Sequence, residues 1–264
     1  MCGPMKLGLK KEMKMRQESI FWENIKHEYA IWHFIRYKRI SDIINETKGK
    51  QLLNVGCGIG LLDLLITNKR IISLDVNRKN IIEAIQIRKN NKLKENTFYT
   101  LVADLYALPF KEKFDVIICS EVLEHLTDDR RALKALVSVL KQKGLLLITL
   151  PNALRLEFPQ LLRLALRPKY LCSEHLREYK VSDVYNLIRP FQLRIEKITG
   201  IYFDFPFFHI FSRPTRAFTS IQFSTKFRFF VYTALYRIYA TFWIAFEKLF
   251  WHHAYHILLV LRKA

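Results

Sequence analysis

The chain has 264 residues, 50% of them hydrophobic and 14% aromatic, which is ample apolar material for a core and excludes a disordered chain. Eight Gly and eight Pro exclude collagen-like or low-complexity sequence, and four scattered cysteines exclude a disulfide framework or a zinc ribbon. Lys and Arg number 43 against 24 Asp and Glu, a formal charge of +19 that predicts attraction to nucleic acid, a membrane surface or an acidic substrate.

Residues 1–48 read as an N-terminal helical cap. The Lys-rich stretch 1–17 is followed by no uninterrupted apolar segment, so no signal peptide is expected and the cysteine usage fits a reducing, cytoplasmic setting. Over 21–44, Trp22, Ile25, Tyr29, Trp32, Ile35, Ile40 and Ile43 recur near three- and four-residue steps, the spacing of a helix. A short apolar run at 51–55 then meets Gly56-Cys57-Gly58-Ile59-Gly60, and 61–67 returns to a helical pattern. Strands are predicted at 71–75, 98–104, 114–120 and 144–150, with helices at 80–90 and 130–140 between them. Continuously apolar strands alternating with helices imply a mainly parallel sheet covered on both faces, an α/β fold.

The strand–glycine–helix junction is where chemistry starts, because glycines let the backbone turn sharply and approach a ligand closely. A dinucleotide site wants Gly-x-Gly-x-x-Gly; here the spacing is Gly-x-Gly-x-Gly and Leu61 stands where the last glycine would fall, which argues against a bound pyrophosphate. Asp75 ends the second strand, placed for ribose hydroxyls, and Asp104 ends the third, placed for an adenine amino group. A glycine loop with acids at two successive strand ends points to an adenosine-containing ligand.

These stretches resemble the core of class I S-adenosylmethionine-dependent methyltransferases: LLNVGCGIGLL at 52–62, IISLDVN at 71–77, VADLYALPF at 102–110, FDVIICSEVLEHL at 114–126 and KQKGLLLITLPN at 141–152. SEHLREYKVSDVYNLI at 173–188 resembles, more weakly, the small-molecule and quinone branch, and HHAYHILLVLRK at 252–263 looks like the closing strand. The resemblance implies a Rossmann-like seven-stranded sheet, with a SAM-binding core over 49–200, an insertion over 201–251 and a final strand over 252–264. It implies that Gly56, Cys57, Gly58 and Gly60 wrap the methionine part of the cofactor. Asp75 would hold the ribose, with Val76 beside it among the cofactor-binding residues, Asp104 with Leu105 the adenine, and Ser120 would contribute backbone near the methionine. Asn54 stands where the family usually has an acid; its amide can still hydrogen-bond the loop. Cys57 reads as a packing residue, since no basic partner adjoins it in sequence. Asp115 reads as structural.

Methyl transfer to oxygen needs a positioned acceptor and a group to take its proton. Glu121, Glu124 and His125 sit at i, i+3 and i+4, a spacing that can converge ligands on a divalent metal and that some metal-dependent members of the superfamily share. The competing reading is a solvated or capping acid pair, with His125 packed under the cofactor. His175 lies where the resemblance puts the acceptor pocket, and with His125 it is the candidate for proton transfer. Tyr29, Trp32, His33 and Arg36 would form either a lid over the cofactor or plain packing.

The charge is concentrated at the C-terminal end: residues 51–150 carry a net +4, whereas 151–264 carry +10. Twenty aromatic residues lie between Tyr202 and Tyr255, and no acid lies between Phe205 and Phe246. Tyr232, Tyr236, Tyr239, Trp243, Phe246 and Phe250 make one helical stripe. That stripe fits either packing on the domain or an anionic membrane surface, with the protein peripheral to it. A spanning helix over 229–246 is the weaker reading, with Arg237 at its centre. Nucleic acid fits less well, because the aromatics are not interleaved with Lys and Arg. The sequence therefore predicts a SAM-dependent methyltransferase acting on a small or amphipathic acceptor, quinone-, lipid- or saccharide-like, at oxygen. An RNA methyltransferase and a non-catalytic SAM-binding adaptor at a membrane surface are the alternatives.

Overall fold

The structure, a computed structural model, describes residues 15–24, 30–91, 97–111, 114–155, 175–203 and 249–264, with 234, 237 and 238 besides. Seven strands form one sheet: β1 (Gln51–Val55), β2 (Arg70–Asp75), β3 (Thr97–Val102), β4 (Phe114–Ser120), β5 (Leu140–Pro151), β6 (Leu193–Ile201) and β7 (His256–Lys263), in the order β3-β2-β1-β4-β5-β7-β6. The first five pair in parallel, while β7 lies antiparallel between β5 and β6. The helices are α1 (15–24), α2 (Ala30–Glu46), α3 (Arg78–Asn91), α4 (Asp129–Val139) and α5 (Val181–Ile188).

Strand residues alternate between two cores, as the pleat requires. Leu52, Ile118, Leu147 and Val260 join one cluster with Phe21, Phe34 and Ile40 of α1 and α2. Their neighbours Leu53, Ile117, Ile148 and Leu259 join another with Leu133, Leu136, Val184 and Leu187 of α4 and α5. A sheet covered on both faces explains why its strands read as unbroken apolar runs. Strand order reverses between β1 and β4, and the crevice outside their carboxyl ends is where an open α/β sheet takes a ligand.

Two expected elements differ. The helix predicted over 61–67 is only a 3-10 turn, Leu62–Leu65. Leu61, Leu62, Leu64, Leu65 and Ile66 are all buried, so the segment has no solvent face. The Asn45 side chain of α2 bonds Leu65 O (3.0 Å) and Thr67 N (2.9 Å), in place of a continuing helical ladder. β5 begins at Leu140 rather than 144, because Leu140 pairs with Phe114 across a register irregularity. The predicted helix over 21–44 is helical at 21–24 and 30–44, and 25–29 fall outside the described residues. So does nearly all of 204–248, and with it the aromatic stripe and the candidate span. Among the described residues no helix is long and apolar enough to cross a membrane.

Candidate active site

The glycine loop leaves β1 with Gly56, Gly58 and Gly60 all at positive φ, 64°, 53° and 76°. A Cβ on Gly56 would stand 2.4 Å from Val122 Cγ2, so the loop lies directly against the segment after β4. Among the described residues a Cβ on Gly58 would meet nothing within 4 Å, which leaves that turn open to a ligand. Asp75, 8% exposed, accepts the Gly58 N–H on Oδ2 (2.8 Å) and, on Oδ1, the Asn77 N–H (2.8 Å) and Asn80 Nδ2 (3.3 Å). A carboxylate has about four acceptor sites, so room for one more donor remains.

Beside it Val76 is 76% exposed, an apolar side chain standing in solvent at the end of β2. Asp104 is exposed and caps the turn Leu105–Ala107 through Tyr106 N (2.9 Å), while Leu105 is buried, leaving only its backbone for a ligand. Ser120 Oγ bonds Thr149 Oγ1 (2.8 Å), tying β4 to β5. Asn54 stands behind the loop, 2% exposed, with Nδ2 donating to Asp63 Oδ1 (2.7 Å); it supports the ligand face rather than lining it. Burial, with Asp63 and Asp75 nearby, pushes the Cys57 thiol up, so Cys57 is an inert packing residue.

At the end of β4 the chain turns sharply at Glu121, whose φ is 54° in the left-handed region that side chains avoid. Glu121 Oε2 lies 3.0 Å from His256 Nδ1 and 3.6 Å from Arg36 Nη1. Burial alone would raise its pKa, but His256 and Arg36 outweigh it and hold the carboxyl well below the usual range. Glu124 is fully buried, neither carboxylate oxygen has a hydrogen-bond partner among the described residues, and burial together with the Glu121 charge pushes its pKa up. The two acids are thus driven apart, Glu121 towards the anion and Glu124 towards the neutral acid.

Among the described residues, Glu124, His125 and His175 place a ligand atom each within 4.8 Å of one another. Both imidazole Nε2 atoms lie 3.9 Å from Glu124 Oε1, and the two rings cross at 75° with centroids 4.8 Å apart. A backbone bond from Leu176 N to Glu124 O (2.9 Å) staples the His175 loop to this turn. Glu121, which the sequence spacing grouped with Glu124 and His125, belongs instead to the Arg36–His256 network.

A family described as methyltransferase domain matches residues 53–148. Over 209 residues the chain is 27% identical to the ubiquinone biosynthesis O-methyltransferase of Rickettsia prowazekii, covering 74% of this chain and 82% of that one. The enzyme of the same name from Pelagibacter ubique is 32% identical over 48% of this chain and 53% of its own. The fold matches magnesium protoporphyrin IX methyltransferase of Synechocystis PCC 6803 with bound SAH (TM-score 0.57, 14% identity, 90% of this chain, 85% of that one). It also matches N-methyltransferase NodS of Bradyrhizobium japonicum with SAH (TM-score 0.54, 14% identity, 92% and 91%). The chain is a class I S-adenosylmethionine-dependent methyltransferase.

Sequence reasoning missed part of this candidate site. Arg36, 6% exposed, was only one member of a candidate lid; it reaches His33 Nδ1 (3.0 Å) and Glu121 from α2. Trp32, one turn earlier, packs on Tyr202 and Tyr255 with ring centroids 4.9 Å away in each case, which docks α2 at the start of β7. His256 reaches Glu121 because antiparallel β7 starts where β5 ends, opposite Pro151. Arg36 stands four residues from both Trp32 and Ile40, on their face of the helix, which was a readable signal; the His256 contact needed the topology.

Proposed function

We propose that the methyltransferase transfers its methyl group to a phenolic oxygen of a quinone-like ring carrying a lipid-like tail. The observation that carries this reading is the match, along most of both chains, to enzymes named ubiquinone biosynthesis O-methyltransferase. When bound, S-adenosylmethionine supplies the methyl group and a sulfonium leaving group. The glycine loop, Asp75 and Asp104 hold it at the carboxyl ends of β1, β2 and β3, with Val76 offering an apolar face to adenine. The acceptor oxygen lies towards the turn after β4, and its proton passes to Nε2 of His175. Burial and the neighbouring His125 lower the His175 pKa, so the ring is neutral and able to accept a proton at physiological pH.

One observation favours a second arrangement. The buried oxygens of Glu124, unpartnered among the described residues and beside two imidazoles, form a donor set that suits a divalent cation. Glu124, His125 and His175 would then hold it, and it would neutralise an ionised acceptor oxygen. Chelator-treated protein decides between the two: retained turnover leaves His175 as the base, whereas loss restored by added Mg²⁺ or Mn²⁺ makes it a ligand.

The segregation of basic and aromatic residues over 202–255 supports contact of the same protein with anionic lipid, where an amphipathic acceptor would be found. The direct test is turnover of a short-tailed polyprenyl catechol with methyl-labelled cofactor. Labelled aryl methyl ether is expected. Labelling of RNA instead, or cofactor binding with no turnover, would overturn the proposal.

A further inference from the structure

Behind the glycine loop lies a buried ion pair that none of the reacting groups touches. Asp63, on the turn Leu62–Leu65, is fully buried and accepts three side-chain donors: Asn54 Nδ2 from β1 (2.7 Å), Ser73 Oγ from β2 (2.6 Å) and Arg88 Nη2 from α3. Arg88 Nη2 also bonds Ser73 Oγ (3.0 Å), and its guanidinium lies 4.6 Å from the ring centroid of Phe98 in β3. One ion pair therefore ties β1, β2, β3 and α3 to the turn that follows the glycine loop.

The loop itself rests on it. A Cβ on Gly60 would stand 3.1 Å from Arg88 Nη2 and 3.5 Å from Asp63 Oδ2, so the back of the third glycine turn is seated on the two charges. A buried pair carries a desolvation penalty on both ions, and well-packed apolar side chains of similar volume are often at least as stabilising. Arg88 Nε and Nη1 are buried without acceptors among the described residues, which adds to that penalty. Stability alone is therefore a poor reason for the pair; a fixed loop conformation is a better one. The amide at Asn54 follows from the same geometry, since a carboxylate there would face Asp63 at hydrogen-bond distance.

We propose that Asp63 and Arg88 are positioning residues for the cofactor loop, and that Asn54 and Asp63 form a reciprocal amide–acid pair in which one position must be charged and the other neutral. The test is SAH affinity by calorimetry, with kcat and KM for the cofactor, in Asp63→Asn, Asn54→Asp, the double exchange and Ser73→Ala. Each single exchange is expected to weaken SAH binding at least about tenfold and raise KM in parallel, with kcat at saturating cofactor within about threefold of wild type. The double exchange restores one charge to the pair and is expected to recover affinity to within about threefold.

Ser73→Ala removes a single bridging hydroxyl, is expected to fold, and should weaken SAH several-fold. If Asp63→Asn fails to fold, the double exchange and Ser73→Ala decide alone. Wild-type SAH affinity in Asp63→Asn or in Ser73→Ala would overturn the proposal, as would a folded double exchange that binds no more tightly than either single variant.

Discussion

Replacing Asp75 by Asn changes one oxygen to an amide and removes the charge, with almost no change in volume. In the native loop the carboxylate accepts the Gly58 and Asn77 N–H groups, each at 2.8 Å, from opposite oxygens. An amide keeps one acceptor, so one of these N–H groups must face an NH2 group. Hydrogen bonds to a charged partner are worth about 1.5–3 kcal/mol each, so roughly that much loop order is lost even before any ribose contact is counted. At about 1.4 kcal/mol per tenfold, SAH affinity should fall ten- to a hundredfold. Calorimetric titration with SAH reads this directly, and a denaturant melt separates loop damage from global unfolding. A folded Asp75→Asn variant whose Kd for SAH stays within twofold of wild type would refute the reasoning, because the loop would then not depend on this carboxylate.

Changing His175 to Gln should lower kcat by about 10²–10⁴ while leaving SAH affinity unchanged. Since burial and His125 depress the His175 pKa, the acid limb of the wild-type rate profile should lie below pH 6.5 and vanish in the variant; unchanged turnover would remove His175 from the chemistry. Asp115 accepts Lys50 N and Gln51 N (both 2.9 Å) and Lys141 Nζ (2.7 Å), joining the starts of β1, β4 and β5. Burial raises its pKa, but these donors outweigh burial and set it below 3.8. Its contribution to stability is therefore fully present above the unfolded value and is lost as pH falls through the folded one. Asp115→Asn should be less stable by about 1 kcal/mol at pH 7 and lose less stability on acidification; identical acid titrations of stability would contradict the assignment.

The parts of the candidate site legible in sequence share one property: local backbone geometry determines them. The glycine loop, Asp75 and Asp104 sit at strand ends, and unbroken apolar strands announce themselves because both faces of the sheet are covered. The parts that were not legible depend on partners distant in the chain. Glu121 and Glu124 lie three residues apart, a spacing that suits either one metal site with His125 or a capping acid pair, yet Arg36 and His256 claim Glu121 while Glu124 turns to His175. Asp63 and Arg88 fall inside the helical patterns at 61–67 and 80–90, where nothing in sequence links them, and only the packing of α3 on β2 and β3 shows them buried together. Asn54, a departure from the expected acid, becomes intelligible once Asp63 is seen opposite it. Residues 51–150, which hold the glycine loop and the strand-end acids, carry only +4 of the +19 charge, so the charge says little about the chemistry.

The central claim, methylation of oxygen on a quinone-like acceptor, is tested most directly by incubating the protein with methyl-labelled S-adenosylmethionine and bacterial extracts, then locating the label by mass spectrometry. The account predicts label in the lipid-soluble fraction, as a methyl ether on an aromatic ring bearing an isoprenoid tail. Label confined to RNA, or no label in any fraction from protein that binds SAH, would contradict it.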